Sequence, residues 1–152
     1  MSKFKIYAKS ILIPVVVGGI VGLLISGSID YETLEKPFLA PPNLAFPIVW
    51  TVLYILMGVS YGILISNSLV DARINFIYYL QLFFNALWPI AFFILKWRLF
   101  AFFWIIVLAI LIAIMVVKFY DKNKVAGLLQ IPYLLWTLFA TYLNLFIYLL
   151  NN

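Results

Sequence analysis

The sequence predicts an all-α integral membrane protein, a bundle of five transmembrane helices. Hydrophobic residues make up 67% of the 152 positions and charged residues only 10%, whereas a soluble domain is about 45–50% apolar and about 25% charged. The apolar residues form five runs, each long enough to cross a hydrocarbon core of roughly 30 Å as a helix. The short alternating pattern of membrane strands does not occur, which favours a helical bundle over a barrel.

The five runs cover about residues 6–26, 46–65, 74–95, 99–117 and 126–149. Short connections join them, except for one long loop at residues 27–45. Because no stretch is typical of a soluble domain or a linker, we expect residues 1–152 to form a single five-helix transmembrane domain. Any function is then expected inside the bundle or on the long loop.

Basic residues at the ends of the runs predict the orientation of the chain. One side carries Lys3, Lys5, Lys9, Arg73, Lys118, Lys122 and Lys124, and the other carries Lys36, Lys96 and Arg98. The positive-inside rule then places the N-terminus in the cytoplasm and the long loop and C-terminus outside. The net charge of +5 forms no basic face and accompanies no nucleic-acid motif, so we expect no nucleic-acid partner.

Two alternatives concern the small residues of the chain. The first run could be a cleaved signal peptide ending near Ser26-Gly27-Ser28, although its length and its Gly18/Gly22 spacing favour a packed helix. Gly58 and Gly62 repeat this spacing in the second run. Such pairs serve either close helix contact within one bundle or a dimer face.

The residue types that are missing exclude several kinds of chemistry. The chain has no cysteine and no histidine, which excludes disulfides, thiol catalysis, Cys/His metal sites and the common haem ligands. No Asp or Glu lies well inside a run, so carboxylate-gated proton coupling has no candidate residue. We expect no metal ion and no resident cofactor.

Polar and aromatic residues share helical faces on three of the runs. At helical spacing the faces comprise Trp50, Tyr54, Met57 and Tyr61; Gln81, Asn85, Trp88 and Phe92; and Tyr133, Trp136, Ala140 and Asn144. Singly, such residues are often interface anchors or interhelical hydrogen-bond partners. Together they predict the lining of a flat, largely apolar cavity suited to stacking with a planar conjugated ligand.

The long loop contains several prolines and leads directly into the second run. Proline fixes its own backbone angle and removes a donor, so a proline-rich loop loses less entropy on closing over a ligand. We expect this loop to form a lid over the cavity. Lys36 either meets a ligand carboxylate or a lipid headgroup, or is a plain interfacial anchor.

Three stretches closely resemble the TspO/MBR family, the tryptophan-rich sensory proteins and translocator proteins: "LEKPFLAPPNLAFPIVWTVLYILMG" at residues 34–58, "QLFFNALWPIAFF" at residues 81–93 and "PYLLWTLFATYLN" at residues 132–144. The resemblance implies five transmembrane helices, with the first loop folded over a pocket that binds protoporphyrin IX and benzodiazepine- or isoquinoline-like drugs. It also implies a bacterial plasma-membrane protein in contact with lipid, and a possible homodimer. The ligand-binding residues that it implies are Tyr31, Pro41, Pro42, Trp50, Tyr54, Asn85, Trp88, Trp136, Ala140 and Asn144.

Three functions are compatible with this resemblance. The first is a membrane receptor or sensor that binds a metal-free porphyrin, because no His or Cys is present to ligate haem iron. The second is light- and oxygen-dependent degradation of protoporphyrin, with Trp50 and Trp136 as redox-active indoles. The third is facilitated transport of a tetrapyrrole or lipid, or sensing by protein contact.

Two departures from the family pattern affect the expected ligands. Family loops often carry Trp-Tyr before the Lys-Pro motif, where this chain has Asp30-Tyr31, so one aromatic contact is missing. The cholesterol-recognition pattern requires a basic residue shortly after a tyrosine near the C-terminus, and none follows Tyr142. Cholesterol binding through that pattern is therefore not supported.

Overall fold

Five long helices form the structure, a computed structural model that describes residues 2–152. All five are long and apolar enough to cross a membrane, which confirms the predicted fold class. The helices are α1 (Lys3–Ile25), α2 (Ala45–Ser66), α3 (Ala72–Pro89), α4 (Arg98–Lys122), the short α5 (Lys124–Leu128) and α6 (Ile131–Leu150). A single 3-10 turn (Tyr31–Thr33) lies in the long loop.

Glycines allow α1 and α2 to pack at very short range. A methyl group at Gly58 would lie 2.5 Å from Ile11 Cα and 2.6 Å from the Ser10 carbonyl oxygen. At Gly62 the same group would lie 2.7 Å from the ring of Tyr7. Since real side chains do not approach this closely, Gly58, which faces backbone, needs glycine, whereas a larger residue at Gly62 would have to displace the Tyr7 ring. The Gly58/Gly62 pair therefore serves close packing inside the bundle.

Proline changes the helix geometry at the end of α3. After Pro89 the helix continues as a π-helical turn, Ile90–Ile94, because proline has no N–H with which to continue the α-helical pattern. Lys96 then takes a left-handed backbone angle (φ 55°), and α4 begins at Arg98. This turn brings Arg98 next to the long loop.

The last predicted run, residues 126–149, consists of two helices. The chain leaves the helix at residues 129–130, between α5 and α6. Pro132, in the first turn of α6, cannot donate the hydrogen bond that would continue α5. Asn123 caps α5 by accepting from the Ala126 N–H at 3.1 Å, so the short helix has its own start signal.

A cluster of stacked aromatic rings fills the half of the bundle near the α2–α3 connection. Tyr61 stacks on Tyr78 with ring centroids 4.0 Å apart, and Phe119 of α4 lies beside both rings. The hydroxyl of Tyr61 bonds to the side-chain oxygen of Asn75. This half of the bundle is closely packed, which leaves the other half for a cavity.

Asp71 starts α3 and joins it to the end of α4. Its side chain accepts from the Ile74 N–H at 2.9 Å and lies 3.0 Å from Lys122 Nζ. The Ile74 N–H, and then Lys122, hold the pKa of Asp71 below its ordinary value of 3.8. A carboxylate whose pKa is lowered by folding stabilises the folded state only while it is ionised.

We expect Asp71→Asn to remove part of the acid sensitivity of the protein. The wild-type stabilisation is present above pH 3.8 and is lost as the pH falls through the lowered folded-state pKa. Thermal unfolding in detergent between pH 2 and pH 6 should show a smaller acid-induced decrease in Tm for the variant. An equal decrease in both proteins would contradict this role.

Candidate functional site

A cavity of about 500 Å³ lies among α1, α2, α3, α6 and the long loop. This volume is within the range of about 300–1,000 Å³ found for small-molecule sites. Its lining residues are Val15, Gly18, Gly19, Val21, Gly22, Ile25, Ile29, Tyr31, Asn43, Leu44, Phe46, Pro47, Trp50, Thr51, Tyr54, Asn85, Trp88, Pro89, Phe92, Phe93, Ala140, Leu143, Asn144 and Ile147. All of these residues are uncharged.

Asn85 is the centre of a buried hydrogen-bond network at the inner end of the cavity. Its side-chain oxygen accepts from the Tyr54 hydroxyl at 2.6 Å, and its amide donates to the Tyr133 hydroxyl at 2.7 Å. Tyr133 in turn donates to Gln81 Oε1 at 2.8 Å. The network joins α2, α3 and α6, so it fixes the relative positions of three cavity walls.

A second network connects the cavity wall with the long loop. The Trp88 indole N–H donates to Asn144 Oδ1 at 2.9 Å, and Asn144 Nδ2 donates to the Arg98 carbonyl at 2.8 Å. The Arg98 guanidinium donates to both oxygens of Asp30, at 2.7 and 2.8 Å, and lies over the ring of Phe92, 5.0 Å from its centroid. Asp30, which stands where family loops often have tryptophan, therefore anchors the loop to α4.

The loop covers the cavity and is held by bonds to itself and to the C-terminus. The buried Tyr31 hydroxyl donates to the Pro41 carbonyl at 2.6 Å, and burial raises the pKa of Tyr31, which keeps this donor protonated. Asn151 exchanges two hydrogen bonds with the Glu35 backbone, at 2.8 and 2.9 Å. Tyr142 donates to the Phe38 carbonyl at 2.6 Å.

Lys36 binds the loop itself. Its ammonium donates to the carbonyls of Tyr31 at 2.8 Å and Leu34 at 3.0 Å and lies 4.8 Å from the centre of the Tyr31 ring. The ammonium thus gives the Leu34 carbonyl a partner and adds a second donor to the Tyr31 carbonyl, which also accepts from the Leu34 N–H at 3.3 Å. In the structure Lys36 therefore holds the loop in its conformation. This differs from the two roles considered from the sequence, which were contact with a ligand carboxylate or lipid headgroup and a plain interfacial anchor.

Seven of the ten predicted ligand-binding residues line the cavity: Tyr31, Trp50, Tyr54, Asn85, Trp88, Ala140 and Asn144. Pro41, Pro42 and Trp136 do not. Pro41 acts through its carbonyl, which holds Tyr31. Trp136 packs edge-on against Phe46, with centroids 5.9 Å apart, and Phe46 is the residue that reaches the cavity. Trp136 therefore makes no direct contact with the cavity that would support its predicted role in binding or photochemistry.

Sequence reasoning did not predict the wall that α1 contributes. Val15, Gly18, Gly19, Val21 and Gly22 carry neither polar nor aromatic groups, so no pattern of side-chain chemistry marks them. In the sequence, the Gly18/Gly22 spacing was the feature that marked this part of α1, and it indicated contact between helices, not a cavity wall. Gly18 does make such a contact, because a methyl group there would lie 2.3 Å from the ring of Tyr54.

The cavity offers a ligand aromatic surfaces and few free polar groups. The side-chain groups of Asn85, Asn144, Trp88 and Tyr54 already bond to protein partners. Among residues 2–152, no group of three or more His, Cys, Asp or Glu side chains could hold a metal ion. The arrangement is therefore suited to holding an apolar, flat molecule by packing and stacking.

These features define a class of protein: a five-helix integral membrane protein with a covered, uncharged, aromatic cavity. A profile of the TspO/MBR family matches residues 10–150. The chain therefore belongs to the TspO/MBR family, as the three sequence motifs indicated.

Similar proteins come from archaea, bacteria and yeast. The chain is 43% identical over 122 residues to the "Tryptophan-rich protein TspO" of Archaeoglobus fulgidus, covering 80% of this chain and 79% of that protein. It is 33% identical over 123 residues to the "Tryptophan-rich sensory protein" of Cereibacter sphaeroides, covering 81% and 77%. It is 31% identical over 147 residues to the "Translocator protein homolog" of Schizosaccharomyces pombe, covering 92% and 88%.

Proposed function

We propose that the protein is a membrane receptor or sensor that binds a metal-free porphyrin, such as protoporphyrin IX, or a similarly flat drug-like molecule in the cavity. The observation that carries the proposal is the aromatic lining of an uncharged cavity of about 500 Å³ beneath a closed loop. Family membership supports ligand binding in general. The lack of cysteine and histidine favours the metal-free ring over haem.

Two pairs of rings supply flat surfaces for such a ligand. Trp50 and Tyr54 of α2 are stacked, with centroids 5.8 Å apart and planes 30° apart. Trp88 of α3 and Phe92 of the following π-helical turn have centroids 5.2 Å apart and planes 31° apart. A conjugated ring placed between them gains stacking energy in addition to burial. Because the lining is uncharged, the propionates of a porphyrin would remain at the loop and the membrane interface, where water can solvate them.

We expect Trp50→Leu to weaken binding of protoporphyrin IX about tenfold or more, or about 1.4 kcal/mol, because the variant loses one stacking surface. Titration of the purified protein in the dark, followed by porphyrin absorption, measures this change. The matched control is Trp97→Leu, since Trp97 is 56% exposed and does not line the cavity. Equal affinities of the two variants would contradict the assigned site, and failure of the wild type to bind would contradict the porphyrin proposal.

Illumination of the same complex distinguishes a receptor from a porphyrin-degrading enzyme. Stable porphyrin bands under light, compared with a control without protein, support the receptor proposal. Protein-dependent loss of the bands would favour degradation instead. In that case Trp50→Phe should slow the loss more than Trp136→Phe, because Trp50 lines the cavity and Trp136 does not.

A further inference from the structure

The cavity is closed on some sides and open on one. Its α3 and α6 walls are mostly buried, for example at Asn85, Trp88, Ala140 and Asn144. The lining residues that are also exposed to the surroundings lie on α1, on the long loop and at the start of α2. They are Gly19, Gly22, Ile29, Leu44, Pro47 and Thr51.

The opening follows from the way in which α1 and α2 diverge. The two antiparallel helices touch backbone to backbone at Ile11 and Gly58, and Gly18 lies against the ring of Tyr54. At Gly22, one turn beyond Gly18, the contact ends, since a methyl group placed there would meet no atom within 4 Å among residues 2–152, apart from its chain neighbours and its own helix backbone. The same holds for Gly19, the residue beside Gly18. The facing residues of α2 include Thr51, six residues or about 9 Å into the helix. We call the gap bounded by Gly19, Gly22, Pro47 and Thr51 the α1–α2 slot.

The route from water, by contrast, is obstructed by the loop. The Arg98 Nη2 group, which donates to both oxygens of Asp30, and the two hydrogen bonds that Asn151 exchanges with the Glu35 backbone hold it at separate points. Opening this cover would break several charged or paired polar contacts together. Entry through the slot breaks none of these contacts.

We propose that ligands enter and leave the cavity sideways from the bilayer, through the α1–α2 slot, while the loop stays closed. This inference rests on the proposed function, because it concerns access to that ligand site. The slot starts near the end of α1 and the beginning of α2 and reaches about 9 Å into both helices. Because both helices are long and apolar enough to span a membrane, we expect its inner part to face lipid. The ligand class is accordingly a molecule that dissolves in the bilayer and whose flat apolar body can pass between two helices.

The proposal is tested by closing the slot with a side chain and measuring rates. Stopped-flow absorption in proteoliposomes follows binding and release of protoporphyrin IX supplied in the bilayer. We expect Gly22→Leu to lower both the association and the dissociation rate tenfold or more, with a smaller change in Kd than in either rate. The matched control is Gly27→Leu, at a glycine that also has no atom within 4 Å but does not line the cavity; it should behave as wild type.

A second variant tests the competing route through the loop. Asp30→Asn removes the charge that Arg98 holds while keeping the shape of the side chain, and we expect it to change both rates less than twofold. Unchanged rates in Gly22→Leu, a weaker Kd in Gly22→Leu without slower association, or a tenfold acceleration in Asp30→Asn would each overturn the slot proposal.

The exposure of the slot to lipid can also be measured without a ligand. Because the chain has no cysteine, Thr51→Cys accepts a single nitroxide label. Collisions of that label with lipid-soluble oxygen should exceed collisions with a water-soluble nickel chelate if the slot faces the bilayer, and the reverse ranking would overturn the proposal. Lipid exposure of the label in Thr51→Cys, together with a wild type that binds no porphyrin, would contradict the proposed ligand but not the slot.

Discussion

Gly58→Leu should separate α1 from the bundle and produce the largest loss of stability of any variant considered. Even the first carbon of the new side chain would lie 2.5 Å from Ile11 Cα and 2.6 Å from the Ser10 carbonyl oxygen. Backbone cannot rotate away as a side chain can, so α1 must move as a whole. Overpacking usually costs about 1–3 kcal/mol, and with two backbone contacts we expect more than about 3 kcal/mol.

The loss should appear in both stability and binding. Thermal unfolding in detergent should show a Tm lower by about 6–12 °C, at roughly 2–4 °C per kcal/mol. Porphyrin binding should also weaken, because α1 forms one wall of the cavity. Gly27→Leu, where the added side chain meets open space, serves as control. A Gly58→Leu protein with wild-type Tm would contradict the stabilising role of the close α1–α2 contact.

Asn85→Leu should have the second largest effect, because it leaves the Tyr54 hydroxyl unpaired and removes the donor to Tyr133. Leucine branches at the same carbon as asparagine but cannot accept from Tyr54 or donate to Tyr133, and both of these partners are buried. The unsatisfied Tyr54 hydroxyl costs about 1–3 kcal/mol and the lost bond to Tyr133, which keeps its bond to Gln81, about 1 kcal/mol, so we expect a total of about 2–4 kcal/mol. Because Tyr54 also lines the cavity, its release should weaken porphyrin binding at least fivefold.

The same substitution at Asn75 provides the matched control. Asn75 also bonds to a tyrosine, Tyr61, but it lies on an exposed part of α3 and outside the cavity lining. Equilibrium unfolding and porphyrin titration of both variants should show a larger loss for Asn85→Leu in each measurement. A larger effect of Asn75→Leu would contradict the central position given to Asn85.

The sequence was most informative where side-chain chemistry repeats at helical spacing. Trp50 and Tyr54 on α2, and Asn85 and Trp88 on α3, were selected from their spacing and do share one cavity. Trp136 satisfies the same spacing rule, but it packs against the ring of Phe46, and Phe46 lines the cavity while Trp136 does not. Periodicity shows on which face of a helix a residue lies but not whether its side chain reaches a cavity. The sequence alone therefore could not distinguish Trp136 from Trp50.

Contacts between distant parts of the chain could not be predicted from the sequence, for a different reason. The pairing of Asp30 with Arg98 depends on the proline-induced turn after α3 and on the path of the loop. Each residue alone resembles an ordinary interfacial charge. The break before Pro132 was missed because hydropathy remains high through residues 124–150, although the proline itself was a visible signal for it.

Most polar groups that line the cavity already bond to the protein, and this has a consequence for selectivity. A site with unpaired donors and acceptors that bond to the substrate discriminates against analogues lacking the matching group by a factor of about 10⁴–10⁵. An apolar pocket discriminates between ligands that differ by one methylene by a factor of only about 10–200. Here the side chains of Asn85, Asn144 and Trp88 already bond to the protein. We therefore expect the cavity to discriminate mainly by the outline and thickness of a ligand, so that chemically unrelated flat molecules compete for it on similar terms.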